Sequence, residues 1–212
     1  MELEINDKQA QIMEKALELF ASKGYDATSV RDIAQSADVN VAMISYYFGS
    51  KDKLLEAIFK KNTTELSAQI EAIIHDTQIM AMDKVDALID LYINIIQKNF
   101  QFHNLLMREQ IIIKDGVLFE YIRDMKRHNT TLIDMAVKAG QKKKIFQKNI
   151  DVPLLASTLI GSVNHFFSNY KYLCDKRTEM VSTDASPESE ALVLKFRNHI
   201  KTMFKAYLVY GI

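Results

Sequence analysis

The residues best placed to do chemistry lie between Gly24 and Leu55, in GYDATSVRDIAQSADVNVAMISYYFGSKDKLL. They are the hydroxyls of Thr28, Ser29 and Ser45, the amide of Asn40, the phenols of Tyr46 and Tyr47, and the cations Arg31 and Lys51. None of these pairs a nucleophile with a base. Their chemistry is hydrogen bonding to phosphate and to base edges. The spacing fits: short helical stretches at 29–37 and 41–47 are separated by only Asp38-Val39-Asn40, and a longer helix opens at Ser50-Lys51. That is the arrangement of a helix-turn-helix, which presents its second helix to the DNA major groove.

Each position has a local role. Thr28 is the candidate N-cap of the first short helix, and Asn40 of the second. Ile33, Ala34 and Ala37 give the first a packing side, Val39 plugs the turn, and Met43 or Ile44 with Phe48 anchors the second inward. Val41, Ala42, Ser45, Tyr46 and Tyr47 then face outward. Val41, Ala42 and Met43 are expected at base edges, with Arg31 reaching bases or phosphates. Thr28, Tyr46, Tyr47 and Lys51 are expected on the backbone, and Ser29, Asn40 and Ser45 complete the surface. Ser50 caps the following helix, so Lys51 lies in a first turn where backbone N–H groups already favour phosphate.

At this level of detail the segment from about Gln11 to Leu55 resembles the DNA-binding domain of the TetR family of bacterial transcriptional regulators. Ala16-Leu17-Glu18-Leu19-Phe20, Gly24-Tyr25 and Thr28-Ser29-Val30-Arg31-Asp32-Ile33-Ala34 resemble the family's opening, and Tyr47-Phe48-Gly49-Ser50-Lys51 with Leu54-Leu55 resembles its close. Two positions depart from the pattern. Asp38 stands where the turn glycine is usual, and aspartate enters left-handed backbone more readily than most residues. Ser45 replaces a phosphate-contacting tyrosine, for which Tyr46 and Tyr47 are the substitutes.

Other chemistries find little in the chain. The five histidines are scattered, and none follows a Glu or Asp by three residues, so the Glu-x-x-His pairs of a di-iron bundle are absent from the sequence. Neither a metal site, a cofactor nor a catalytic constellation is expected. The single cysteine, Cys174, forms no intramolecular disulfide, which suits a reducing compartment. The acidic start Met1-Glu2-Leu3-Glu4 has no secretory character, and the richest apolar stretch, 88–96, is interrupted by Asp90 and Asn94. A cytoplasmic location without membrane contact is expected. Lys142-Lys143-Lys144 reads as a solvated run near a helix C-terminus, where positive charge is favourable.

Charge is the weakest support for DNA binding. The formal net charge is +0, and within residues 1–60 ten carboxylates outnumber seven Lys and Arg side chains. Local placement must therefore outweigh net charge, through Arg31, Lys51, helix N-termini, hydroxyls and phenols. A helical adaptor that does not bind DNA is the alternative; it explains a bundle but not the match through Phe48-Gly49-Ser50-Lys51.

The elements around this motif are all helical. The chain has 212 residues, 48% of them hydrophobic, with only 6 Gly and 2 Pro, which suits a large helical core. Asn6 or Asp7 caps a first helix that Gly24 ends. Further helices are predicted at 51–77, 83–99, 102–113, 117–139, 153–174 and from Pro187 to the end, with Gly140 as a C-cap. The expected fold is all-α: a helix-turn-helix domain at 1–50, then a ligand-binding and dimerisation domain at 51–212, bridged by the 51–77 helix. Broad apolar stripes mark the last two helices: Leu155, Leu159, Val163, Phe166 and Tyr170 on one, Leu192, Phe196, Ile200, Met203 and Tyr207 on the other. One thick monomeric core is the competing reading of those stripes. The resemblance implies a homodimer formed through them, which sets two recognition helices roughly 34–36 Å apart on near-palindromic operator DNA. It also implies a ligand pocket and repression relieved by a small molecule. Tyr92, Ile96, Asn99, His103, Met107, Phe119, Asn164 and Phe167 are its candidate lining, and the inducer is expected to be apolar or aromatic.

Overall fold

The computed structural model describes residues 6–175 and 187–210. The acidic start, the Cys174 side chain and Ser186 ahead of the last helix lie outside the described residues.

Helices account for the chain's regular structure, with no strand among the described residues. They are α1 (Asp7–Lys23), α2 (Val30–Ser36), α3 (Val41–Phe48), α4 (Lys51–His75), α5 (Ala81–Lys98), α6 (Phe100–Ile112), α7 (Gly116–Lys142), α8 (Val152–Ser168), α9 (Tyr170–Asp175) and α10 (Pro187–Tyr210). Most boundaries follow from caps. Asn6 and Gln9 close a reciprocal capping box on α1, and Gly24, at φ 98°, ends it. The Ser50 hydroxyl accepts from Lys53 N–H at 3.2 Å to start α4, and Asp151 accepts from Leu154 N–H at 2.9 Å to start α8.

Two sequence expectations need correction. The single helix expected at 153–174 is divided at Asn169, whose backbone N–H and side-chain amide both take the carbonyl of His165. Gly140 is not a C-cap but lies inside α7. A Cβ there would sit 2.2 Å from the Phe146 ring, so glycine is what lets that buried ring close against the helix. The left-handed residue after α7 is Lys144, at φ 58°.

The chain divides into two compact units: Met1–Ser67 with Asn99–Met125, and Ala68–Lys98 with Lys126–Ile212. The first has a core of Ile12, Ala16 and Phe20 from α1, Ile33 and Ala34 from α2, Ile44 from α3, Leu54, Ile58 and Phe59 from α4, Phe102 and Leu105 from α6, and Ile122 from α7. Its helix-turn-helix is thus backed by α6 and the start of α7 as well as by α1 and α4. In the second unit Ile89 and Ile93 of α5, Val163 and Phe166 of α8, and Ile200, Phe204 and Leu208 of α10 are buried. Phe166 and Phe196 stack with centroids 4.0 Å apart, and Asp90 of α5 bonds both Arg197 and Lys201 of α10, at 2.8 and 2.6 Å.

Candidate nucleic-acid interface

Helices α2 and α3 are joined by a turn whose pivot, Asp38, adopts φ 47°. The left-handed conformation that glycine usually supplies is therefore held here by an aspartate. Ile44 is fully buried and fixes the roll of α3, with Met43 and Phe48 half-buried beside it. Val41, Ala42, Ser45 and Tyr46 are left exposed, and Tyr46 stands out at 83%. Tyr47 is half-buried against the core of the first unit, edge-on to Tyr46 at 5.2 Å. Asn40 accepts from Ala42 N–H at 2.9 Å, as a cap should.

Two expected phosphate contacts occupy different positions. Thr28 is fully buried, and its hydroxyl donates to Gly24 O at 2.7 Å. The cap of α2 is its neighbour Ser29, which accepts from Asp32 N–H at 3.1 Å while the Asp32 carboxylate accepts from the Ser29 N–H and hydroxyl. Those bonds hold the Asp32 carboxyl below its ordinary range. The Thr28 side chain thus serves the fold of the loop and is withdrawn from the surface. Ser29 and Arg31 are exposed beside it.

Lys51 is half-buried, and its ammonium donates to Tyr25 O at 2.9 Å and to Thr28 O at 3.0 Å. It also lies 4.1 Å above the centre of the Tyr25 ring. The Tyr25 hydroxyl bonds Asp52, one residue along α4. Burial first, and then this bond to a carboxylate, push the phenol far above its usual range, so it stays a neutral donor. Lys51, Tyr25 and Asp52 form a clasp between the start of α4 and the loop that launches α2. No spacing rule in the sequence points to it, because its acceptors are backbone carbonyls more than twenty residues away.

The remaining candidates fall as follows. Of the eight proposed ligand contacts, Tyr92, Ile96, Asn164 and Phe167 belong to the second unit, while Asn99, His103, Met107 and Phe119 belong to the first. Ile96 and His103 are buried and the others half-buried. Burial pushes the Tyr92 phenol well above its ordinary value. Of the ten proposed dimer contacts, Val163, Phe166, Leu192 and Ile200 are buried inside the protomer, Leu155, Leu159, Tyr170, Phe196 and Tyr207 are half-buried, and Met203 is exposed. Four of the ten thus belong to the protomer's own core, and the other six keep part of their surface exposed. The exposed face of α8 carries Leu154, Ser157, Thr158 and Gly161, and that of α10 carries Leu194, Asn198, Thr202 and Ala206.

Among the described residues no group of three or more His, Cys, Asp or Glu converges as a metal site, and no helix is long and apolar enough to cross a membrane. The sequence profile of the bacterial regulatory proteins, tetR family, matches residues 12–58. The probable HTH-type transcriptional regulator YttP of Bacillus subtilis is 30% identical over 146 residues, 68% of each chain. Two solved structures share the fold across nearly the whole chain. One is the ketosteroid transcriptional regulator KstR2 of Mycobacterium tuberculosis, with TM-score 0.75 at 16% identity over 94% of this chain and 96% of that one. The other is the transcriptional regulator FadR from Bacillus subtilis in complex with stearoyl-CoA, with TM-score 0.69 at 19% identity over 96% and 98%. These relatives are regulators of transcription, and the helical-adaptor alternative is not favoured. The profile match over the helix-turn-helix and the likeness to YttP establish that the chain belongs to the TetR family of bacterial regulatory proteins and is a DNA-binding transcriptional regulator.

Proposed function

We propose that the chain is a repressor that binds a near-palindromic operator as a homodimer and is released by a small, mostly apolar molecule. The observation that carries the DNA half is the exposed face of α3, where Val41, Ala42, Ser45 and Tyr46 are free of packing duties while Ile44 locks the helix beneath them. Val41, Ala42 and Met43 read base edges. Arg31, Ser29, Asn40, Ser45, Tyr46 and Tyr47 take backbone and flanking contacts, and Thr28 and Lys51 position the loop. With no formal charge on α3, phosphate affinity rests on Arg31, neutral donors and helix N-termini.

Dimerisation is assigned to the exposed faces of α8 and α10. Leu154 and Leu194, at 66% and 56% exposed, anchor them, and the small residues between let a partner helix approach closely. A Cβ at Gly161 would meet nothing within 4 Å. The ligand is assigned to the second unit, with Tyr92, Ile96, Asn164 and Phe167 as its lining; Asn99, His103, Met107 and Phe119 are left out of it. Relatives whose names record a ketosteroid and an acyl-CoA support an apolar ligand class. The helix α4, unbroken from Lys51 to His75, is the coupler. Release requires that the ligand prefer the DNA-incompetent state, because equal affinity for both states shifts nothing.

Selection of bound sequences from random DNA tests the proposal, followed by anisotropy titration of the winners. Two inverted half-sites about one helical turn apart are expected. A selected motif without two-fold symmetry, or one bound equally well by Ala42→Asp, refutes it.

A further inference from the structure

An open cleft of about 1000 Å³ lies within the first unit, walled by the end of α1 and its following turn, the first turns of α4, the last turns of α6 and the α6–α7 connection. Glu109 of α6 lines it and is only 3% exposed. One of its oxygens, Oε1, meets Arg108 Nε at 3.4 Å, the far limit of a hydrogen bond, and Oε2 accepts nothing from any described residue. Arg108 is a divided counter-ion, since its guanidinium also donates to Phe20 O at the end of α1. The carboxylate's one partner among the described residues is a long contact, so a positively charged donor entering the cleft would gain a charge-assisted hydrogen bond there.

The surroundings specify the rest of such a molecule. Tyr25, Leu55, Ile113 and Leu118 supply apolar wall, and Ile112 and Val117 stand on it at 57% and 69% exposed. Carboxylates outnumber basic side chains along the lining, five to four. We propose that this cleft binds a small amphiphilic cation, a primary ammonium on an apolar chain or ring, with Glu109 as its anion. The wall from Gly24 to Ala27 includes the residue whose carbonyl and ring Lys51 holds, so occupancy acts on the joint between the α2 loop and α4 and weakens operator binding. The binding half is independent of the operator; the regulatory half rests on the repressor reading.

The probe is decylammonium below its micellar concentration, titrated calorimetrically into the full chain, with decanol and decanoate as controls of equal length. One decylammonium per chain is expected, bound at least about tenfold tighter than decanol, with decanoate not bound. Glu109→Gln removes that preference and leaves decanol within about twofold, while Val117→Lys weakens decylammonium roughly threefold by repulsion. Val117 is exposed, so its variant keeps the test alive if Glu109→Gln does not fold. No saturable binding, equal affinity for decanol, or unchanged affinity in the folded variants overturns the site. Operator affinity that falls with decylammonium in the wild type but not in Glu109→Gln supports the regulatory half; unchanged operator affinity at saturation overturns that half alone. Absence of operator binding before any amine is added indicts the repressor reading instead.

Discussion

Replacing Lys51 with methionine separates two accounts of this residue. Methionine keeps an apolar stem over Tyr25 but removes the ammonium, and with it the bonds to Tyr25 O at 2.9 Å and Thr28 O at 3.0 Å. Hydrogen bonds from a charged donor contribute about 1.5–3 kcal/mol each when well buried. Lys51 is half-buried, so the freed carbonyls regain some water, and about 1 kcal/mol apiece is the fairer figure. The cation above the Tyr25 ring adds about 0.5–1 kcal/mol. Together the clasp stabilises the first unit by about 2–3 kcal/mol, which for a chain of this length lowers the melting temperature by about 5–10 °C. A calorimetric melt of Lys51→Met reads that loss, and operator binding measured across salt concentrations reads the competing account. A phosphate contact would flatten the plot of log affinity against log salt by about 0.9, whereas a clasp leaves the slope unchanged while affinity falls. A melt within about 2 °C of wild type, together with a slope reduced by about 0.9, refutes the clasp.

Four further outcomes are expected. Tyr46→Ala, at a side chain 83% exposed, leaves stability within about 0.5 kcal/mol but costs about tenfold or more in operator affinity by anisotropy. Gly140→Ala drives a Cβ to 2.2 Å from the Phe146 ring and destabilises by about 1–3 kcal/mol in urea unfolding, part of which Phe146→Leu restores. For Asp90, burial opposes ionisation, but hydrogen bonds from Lys201 and Arg197 prevail and bring its carboxyl below the ordinary value. Its stabilisation is therefore full above the unfolded value near pH 4 and vanishes as pH falls through the lower folded value; Asp90→Asn melts below wild type at pH 7, and the two converge as acid protonates the folded carboxyl. Leu194→Glu places a charge on the exposed face of α10 and yields a monomer by sedimentation with unchanged circular dichroism.

The helix-turn-helix was legible because its signals are local. Asn40 caps α3, Asp38 supplies the left-handed turn and Gly24 stops α1, each acting within a few residues of itself. Thr28 and Ser29 show where locality runs out. Both are β-hydroxyl residues suited to capping, and only the depth of the loop decides that Thr28 bonds Gly24 O while Ser29 caps. The Lys51 clasp escapes a sequence reading for the opposite reason. The lysine's long stem reaches carbonyls 26 and 23 residues earlier, and no periodicity in the sequence encodes that reach. The buried Thr63 hydroxyl, bonded to Phe59 O and 2.7 Å from the Tyr121 hydroxyl, is equally silent in the sequence.

The helices α8 and α10 show what a hydrophobic stripe can and cannot say. Val163, Phe166, Leu192 and Ile200 have the size and period of an interface, yet the protomer itself covers them. Large apolar side chains are claimed first by the nearest core, because burying them within the chain costs no loss of translational freedom, as association does. On the dimer face proposed above, the surface offered to a second copy is smaller-grained: Leu154 and Leu194 as anchors, with Ser157, Thr158, Gly161, Thr202 and Ala206 beside them, while Ile160 and Met203 are further large apolar side chains exposed on α8 and α10. Small residues contribute little area each, but they let two helices approach until backbone and anchor contacts add up. On that reasoning the dimer face is sensitive to the enlargement of a small residue as well as to a change at an anchor. Gly161→Leu should separate the protomers while leaving each folded, because a side chain there meets open space in the single chain.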